Sequence, residues 1–231
     1  MPMICAPICF ACRELNLAYF GVCLRPGGTR LNFRRTLFER NRESAVIKLT
    51  GIGHVNLRVA DQEASKRFYR DILGFVIAEE DPDHGGVFMT LGENFHTLDI
   101  GQHPTPEAAQ RPRRDQIGLA HIAFQVGSYQ ALREAYKHLV ESSVAILRAT
   151  NHVNQRSFYF ADPDGNTLEI YYEMPDALQL FAGGRSDDDE ALPVSGKGDP
   201  LPAWLLEDWP GPEVTARIER LRQQHREPAP A

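Results

Sequence analysis

Two histidines and one glutamate stand out because they occupy matching places in two similar segments. His54 lies in "GHVNLRV", His121 lies in "AHIAFQV", and Glu169 lies in "NTLEIYYE" near the end of the second segment. Two neutral imidazoles and one carboxylate form a ligand set that suits a divalent first-row metal. A single strand histidine or glutamate is usually exposed or simply hydrogen-bonded. It is their repetition in a common frame that favours a metal site.

The two histidines begin segments that repeat one order of elements. Residues 53–59 and 120–126 alternate with period two, which predicts a β-strand in each copy. A helix is predicted after each strand, starting after Asp61 and after Ser128, because both residues are good N-caps. Three more strands are predicted in each copy, at 75–79, 86–91 and 96–100 and at 144–149, 157–161 and 167–172. The sequence therefore predicts two βαβββ modules, at about 49–101 and 117–173.

The modules form a predicted α+β domain at residues 47–175, and the flanking segments differ from it in composition. Residues 1–46 lack periodicity and are predicted to be a poorly ordered N-terminal extension. Residues 176–231 are rich in Pro, Gly and acidic side chains, including "RSDDDE", which is typical of a polar, solvated tail. Within this tail, residues 201–209 hold two Trp and three Leu and are apolar enough to pack on the domain.

Composition and charge argue against several classes of partner. The 231-residue chain has a formal net charge of −6, which disfavours nucleic acid and anionic membranes as partners. No apolar run approaches the roughly 20 residues of a membrane-spanning helix. All four cysteines lie in the first 23 residues, which favours a reducing, cytoplasmic location. Cys5, Cys9 and Cys12 have the spacing of an iron–sulfur motif, but the following chain lacks the barrel pattern such enzymes need.

Four segments of the modules resemble a known family. The segments "GHVNLRV", "FYRDILGF", "LAHIAFQV" and "FYFADPDGNTLEIYYE" are similar to the vicinal oxygen chelate superfamily. That superfamily holds glyoxalases, fosfomycin-resistance proteins, bleomycin-binding proteins and type I extradiol ring-cleavage dioxygenases. The resemblance covers a little over half of the chain. It implies paired βαβββ modules whose curved, cup-like mixed sheet surrounds a metal.

Within the superfamily, the matching residues are most similar to the extradiol dioxygenases. The resemblance implies that His54, His121 and Glu169 hold Fe(II), with Mn(II) as an alternative. It also implies catalytic roles for Tyr159, ten residues before the glutamate, and for His152, as a hydrogen-bond donor and an acid–base group respectively. The expected substrates are a small aromatic vicinal diol, such as a catechol, and O2. The expected role is aromatic compound catabolism, and a homo-oligomer is compatible with the resemblance.

Two other functions remain open at this point. Asp99, in "HTLDI", occupies the place in the first module that Glu169 occupies in the second. A carboxylate there would supply the fourth ligand of a glyoxalase I-like isomerase, which would use Ni(II) or Zn(II). The third alternative is a non-enzymatic protein of the same fold that sequesters a drug or metabolite. The presence of two histidines and a glutamate at ligand positions argues against that alternative.

Overall fold

The structure, a computed structural model, describes residues 47, 49, 51–113, 115–181, 189–212, 214–216 and 218–219. The chain divides into two compact units, Met1–Gly51 and Ile52–Ala231, and every element below belongs to the second unit. The predicted N-terminal extension and its cysteine motif lie outside the described residues. Within the described part of the chain, no helix combines the length and the apolar character needed to cross a bilayer.

The first module follows the predicted β-α-β-β-β order. Strand β1 (Val55–Val59) leads to helix α1 (Gln62–Arg67), whose N-terminus is capped by the Asp61 side chain. The helix continues as a wider π-type turn at Phe68–Ile72, and the chain leaves it at Gly74 with a φ of +78°, which glycine adopts without strain. Three strands complete the module: β2 (Val76–Glu80), β3 (Gly86–Thr90) and β4 (Leu98–Gln102).

The second module repeats this order. Strand β5 (Ile122–Gln125) leads to helix α2 (Tyr129–Glu141), which the Ser128 side chain caps as predicted. One predicted strand is displaced, because residues 144–149 alternate but the ladder with the next strand forms only from Arg148 onward. The remaining strands are β6 (Arg148–Asn151), β7 (Gln155–Ala161) and β8 (Thr167–Glu173).

The strands form two mixed sheets, one from each module. The first sheet has the order β1-β4-β3-β2, and the second has the order β5-β8-β7-β6-β9, where β9 (Glu190–Leu192) comes from the C-terminal segment. The first and last strands of each module pair in parallel. This register places Asn56 opposite Asp99 and Ala123 opposite Glu169. The α+β class and the paired modules are thus confirmed, and each module brings its first strand beside its predicted carboxylate.

The core lies between the helices and one face of each sheet. On β1, Leu57 and Val59 are buried, whereas the alternating side chains of Asn56 and Arg58 are exposed. In the second module, the α2 side chain Tyr136 packs edge-on against Phe158 of β7, with ring centroids 5.2 Å apart. Because side chains alternate along a strand, the predicted ligands lie on the other face of each sheet, which is not the face packed against the core.

The first module's helix also packs on the helix-covered face of the second sheet. The Phe68 ring lies 6.5 Å from that of Phe160, and the Phe75 ring lies 5.7 Å from that of Phe124. A buried hydrogen bond from the Tyr69 hydroxyl to Asp162 Oδ2, 2.9 Å long, joins the same surfaces. The modules therefore share one core, and their ligand-bearing faces point away from it.

The C-terminal segment contributes to this core. Helices α3 (Ala177–Leu180) and α4 (Ala203–Leu206) follow the second module, and Trp204 and Trp209 are buried. The buried Arg156 guanidinium donates a hydrogen bond to the Trp204 carbonyl and lies 5.4 Å from the ring centroid of Trp209. Residues 203–209 of the segment are thereby anchored to the helix side of the second sheet.

Candidate metal centre

His121 and Glu169 form a close pair on the second sheet. Because β5 and β8 are parallel neighbours, His121 stands on the same face as Ala123, which lies directly opposite Glu169. The distance from His121 Nε2 to Glu169 Oε2 is 2.9 Å, and the side chains are 35% and 3% exposed. The residue directly before β5 and a residue of its parallel neighbour β8 thus bring a partly exposed imidazole and a buried carboxylate together.

The Glu169 carboxylate has an unsatisfied oxygen. Its Oε1 is buried and makes no hydrogen bond to any described part of the chain. A buried carboxylate oxygen without a partner is costly, so a positive group beside it would be stabilising. A divalent cation bound by both this carboxylate and the His121 imidazole would supply that positive group. The donor set and the orphaned oxygen therefore fit a metal.

Tyr159 lies directly opposite Glu169 on β7, with its ring edge-on to the His121 ring at 5.5 Å between centroids. The guanidinium of Arg148, on the neighbouring strand, lies 3.2 Å from the centroid of the Tyr159 ring. Burial is the main cause that raises the pKa of the Tyr159 phenol, and the Glu169 carboxylate adds to the rise, while Ser157 and Arg148 act in the opposite sense. The phenol is therefore a hydroxyl donor at neutral pH.

His152 reaches the same hydroxyl from a tight turn between β6 and β7. Its Nε2 lies 3.2 Å from the Tyr159 hydroxyl oxygen. The turn is closed by a hydrogen bond from His152 N to the Gln155 carbonyl, and the next residue, Val153, has a φ of +72°. A β-branched residue in this conformation is strained, and such strain is concentrated at functional sites. The buried Val153 side chain helps to hold the strained turn in place.

The first sheet carries a second cluster of donors. His54 Nε2 lies 3.5 Å from Asp99 Oδ2, and His96 Nδ1 lies 3.7 Å from Asp99 Oδ1. The two rings also meet, with His96 Nε2 3.1 Å from His54 Nδ1. One ligand atom from each of the three residues lies within 4.8 Å of the others, a spacing that could hold a metal ion.

Comparison with known proteins identifies the family of the chain that carries these two clusters. The model of the glyoxalase/bleomycin resistance protein/dioxygenase superfamily matches residues 51–170, more than half of the chain. The chain belongs to this superfamily. The matched residues contain the first module, the second module as far as Ile170 and both donor clusters, so the resemblance inferred from the four sequence segments is confirmed.

Several members of the superfamily are similar in sequence. The chain is 31% identical over 133 residues to the catechol-2,3-dioxygenase of Bacillus subtilis (strain 168), a match that covers 54% of this chain and 42% of that protein. It is 30% identical over 142 residues to the metallothiol transferase FosB of Staphylococcus haemolyticus (strain JCSC1435), with coverages of 58% and 91%. The chain thus spans less than half of the dioxygenase it matches.

Solved structures of superfamily members are also similar. A glyoxylase/bleomycin resistance protein/dioxygenase domain from Frankia sp. EAN1pec has 22% sequence identity and a TM-score of 0.48, with coverages of 55% of this chain and 99% of that domain.

The predicted superfamily ligands are divided between the two clusters. The structure brings His121, Glu169, Tyr159 and His152 together on the second sheet. His54 lies instead with Asp99 on the first sheet, and among the described residues the atoms of His54, His121 and Glu169 do not all come within 4.8 Å of one another. The physical reason is that both ligand faces are turned outward from the shared helical core.

His96 is the donor that sequence reasoning missed. The predicted strand at 96–100 placed it on the face opposite Asp99, since strand neighbours three residues apart point in opposite directions. The observed strand starts at Leu98, so His96 belongs to the preceding loop, where strand alternation does not apply. The sequence feature that could have indicated His96 as a donor is its position three residues before Asp99.

Proposed function

We propose that the protein is a metal-dependent, extradiol-type dioxygenase that cleaves a catechol or related vicinal diol with O2. The observation that carries this proposal is the buried Glu169 carboxylate, which has one unpaired oxygen and lies against His121 with Tyr159 and His152 alongside. Metal ligands and acid–base groups on one sheet face are what such a reaction requires. The similarity to a catechol-2,3-dioxygenase supports the same class.

His54, His121 and Glu169 would hold the metal, with Fe(II) the expected ion and Mn(II) the alternative. We propose that His54 reaches the other two from a second copy of the chain, since within one chain the ligand faces point away from each other. Exposed apolar side chains, Ile52 and Leu119, lie two residues before His54 and His121 in the chain. Such side chains favour a covering partner, and a two-fold pair of chains would complete two equivalent sites.

When bound, the metal would supply Lewis acidity toward the diol and redox chemistry toward O2. Side chains of the protein would carry out the proton transfer and hydrogen bonding. His152 Nε2 would accept a proton from a diol hydroxyl, and Tyr159 would donate a hydrogen bond to a substrate oxygen. The carbon–carbon bond next to the diol breaks and both atoms of O2 enter the product, so no further reductant is consumed.

The proposed location of the protein is the cytoplasm. The position of the cysteines favours a reducing, cytoplasmic setting.

The proposal is tested by loading the protein with Fe(II) without oxygen, then adding a panel of catechols and O2. We expect a yellow ring-cleavage product and matching oxygen uptake. His121→Ala should abolish metal loading, whereas His84→Ala, which removes an exposed histidine beside Asp81, should not. Full metal occupancy in His121→Ala, or an inactive Fe(II)-loaded wild type across the panel, would contradict the dioxygenase.

Sharing of the site between copies is tested by mixing two inactive variants. His54→Ala keeps His121 and Glu169, and His121→Ala keeps His54, so a mixed pair holds one intact site out of two. Random exchange of chains should restore about a quarter of the wild-type activity. An unchanged, inactive mixture whose chains have exchanged would show that the three ligands come from one chain.

A glyoxalase I-like isomerase is the second candidate, and the first module gives the observation that favours it. Asp99 is buried beside His54, and its Oδ1 makes no hydrogen bond within the described residues. A fourth protein ligand would leave less room for a diol and O2. Turnover of a glutathione hemithioacetal under Ni(II) or Zn(II), without catechol cleavage under Fe(II), would select this function. Tight ligand binding without metal would instead indicate a sequestering protein.

A further inference from the structure

The C-terminal segment places an acid beside the proposed acid–base histidine. Asp189 Oδ2 lies 2.9 Å from His152 Nδ1, the ring nitrogen that does not face Tyr159. The His152 side chain is 13% exposed and that of Asp189 is 45% exposed. The three side chains thus form a row, from the carboxylate through the imidazole to the phenol.

The backbone builds this contact. Strand β9 adds to the free edge of the second sheet by pairing antiparallel with β6, and Asn151 lies opposite Glu190. Continued by one residue, this register brings Asp189 opposite His152. A side-chain hydrogen bond from Asn151 Nδ2 to Glu190 Oε2, 3.3 Å long, supports the ladder at the same end. The position of the Asp189 carboxylate therefore follows from strand pairing.

We propose that Asp189 is a positioning residue for His152. The carboxylate lies at ion-pair distance from Nδ1 and outside hydrogen-bond direction, so it acts through its charge. A negative oxygen 2.9 Å away favours the neutral tautomer that carries its proton on Nδ1 and leaves the Nε2 lone pair facing the Tyr159 hydroxyl and the diol. The inference rests on the proposed function for His152. Asp189 lies outside residues 51–170, which match the superfamily model, and directly precedes the strand β9.

The chemical reason is the two-sidedness of imidazole. Neutral histidine carries one N–H, and the group that accepts it decides which nitrogen is left as the base. When Nε2 takes a proton from the diol, the ring becomes a cation, and the carboxylate 2.9 Å away stabilises that charge. The half-exposed setting of Asp189 moderates both this stabilisation and the preference for the Nδ1 tautomer through solvent screening.

The matched variants are Asp189→Ala, which removes the carboxylate, and Glu190→Ala, which loosens the same strand end without touching His152. Nitrogen NMR of histidine-labelled, metal-free full-length protein, at a pH where imidazole is neutral, reports the tautomer of His152. We expect the wild type and Glu190→Ala to carry the proton on Nδ1. Asp189→Ala should lose this preference and show a mixture of the two tautomers.

Kinetics of the Fe(II)-loaded protein give the second readout. Asp189→Ala should lower kcat for catechol cleavage about tenfold to hundredfold, a part of the factor that acid–base catalysis supplies. KM and metal content should stay near those of Glu190→Ala. If Asp189→Ala unfolds, Asp189→Asn serves instead, and it should likewise lower kcat, because its amide can turn an N–H toward Nδ1 and favour the wrong tautomer.

The two proposals fail in different ways. An inactive wild type would remove the dioxygenase, but the NMR measurement would still test the Asp189–His152 contact. An unchanged His152 tautomer in folded Asp189→Ala protein would overturn the positioning role. That role would also be overturned if Glu190→Ala lost as much activity as Asp189→Ala, because the segment would then act only by holding the sheet edge.

Discussion

The two modules are built on one frame, but their ligand faces differ in the groups beside the carboxylate. Phe88 lies opposite Asp99 in the first sheet, where Tyr159 lies opposite Glu169 in the second. The Phe88 ring stacks on His96 with centroids 5.3 Å apart, and it offers no hydroxyl. The register shared by the two modules sets the positions of the candidate ligands. The residue on the adjacent strand, β3 or β7, determines whether a hydroxyl group lies beside them.

The next strand out extends the contrast to charge. In the first sheet, Glu79 lies opposite Phe88, whereas in the second sheet Arg148 lies opposite Tyr159. The first module therefore presents two acids around its histidines, and the second presents an acid and a cation. The second face is the better match for an anionic diol, and the first is the better match for a lone cation.

The largest expected effect separates the two carboxylates. Glu169→Gln should lower Fe(II) affinity more than about a hundredfold, because loss of a direct ligand exceeds the loss caused by outer partners. Asp99→Asn should leave Fe(II) affinity nearly unchanged under the three-ligand arrangement. Anaerobic equilibrium dialysis with iron analysis measures both. Equal losses in the two variants would show that both modules supply carboxylates and would favour the isomerase.

The next effect tests the aromatic pair across from the carboxylates. Tyr159→Phe should lower kcat about a hundredfold, since one preorganised donor to a developing charge contributes about that much. Phe88→Tyr, the mirror change in the first module, should leave kcat near the wild-type value. Steady-state oxygen uptake with matched iron content compares them. A wild-type rate in Tyr159→Phe would remove the hydroxyl from the mechanism.

The equivalent loops of the two modules also differ, and stability measures that difference. The β7–β8 turn holds the modules together through Asp162, which accepts the Tyr69 hydroxyl, while the β3–β4 loop carries His96. Tyr69→Phe should lower the free energy of unfolding by about 1.5–3 kcal/mol, as expected for a buried hydrogen bond to a charged group. Chemical denaturation measures it, and iron content should be unaffected.

This contribution has a defined pH dependence. Burial, reinforced by the Asp162 carboxylate, raises the pKa of the Tyr69 phenol in the folded protein far above its ordinary value of 10.0. The folded state then favours the neutral phenol. The stabilisation is complete below pH 10.0 and declines as the pH rises above it, because the unfolded phenol ionises first. A stability gap between wild type and Tyr69→Phe that grows above pH 10.0 would contradict this account.

Sequence alone predicted the parts of the site that depend on strand alternation and on the duplication. His121 and Glu169 were singled out by the duplicated frame, and the structure pairs their strands in parallel. Tyr159 was indicated by the family resemblance, and the structure places it opposite Glu169. Alternation says which side chains share a face but not which faces meet, so it could not reveal that His54 lies apart. Nor could it reveal Asp189, since the pairing of β9 is chosen by the free edge of β6 and not by any local pattern.

The smallest expected effect concerns His96, which has no counterpart in the second module. Its Nε2 lies 3.1 Å from His54 Nδ1, whereas His54 Nε2 points toward Asp99 at 3.5 Å, so His96 would orient that ligand without touching the metal. His96→Ala should therefore weaken Fe(II) binding by about tenfold, the lower end of the cost of losing an outer partner. Iron titration alongside His84→Ala measures this. A loss as severe as that of His121→Ala would make His96 a direct ligand, and the first module would then bind its own ion through His54, His96 and Asp99.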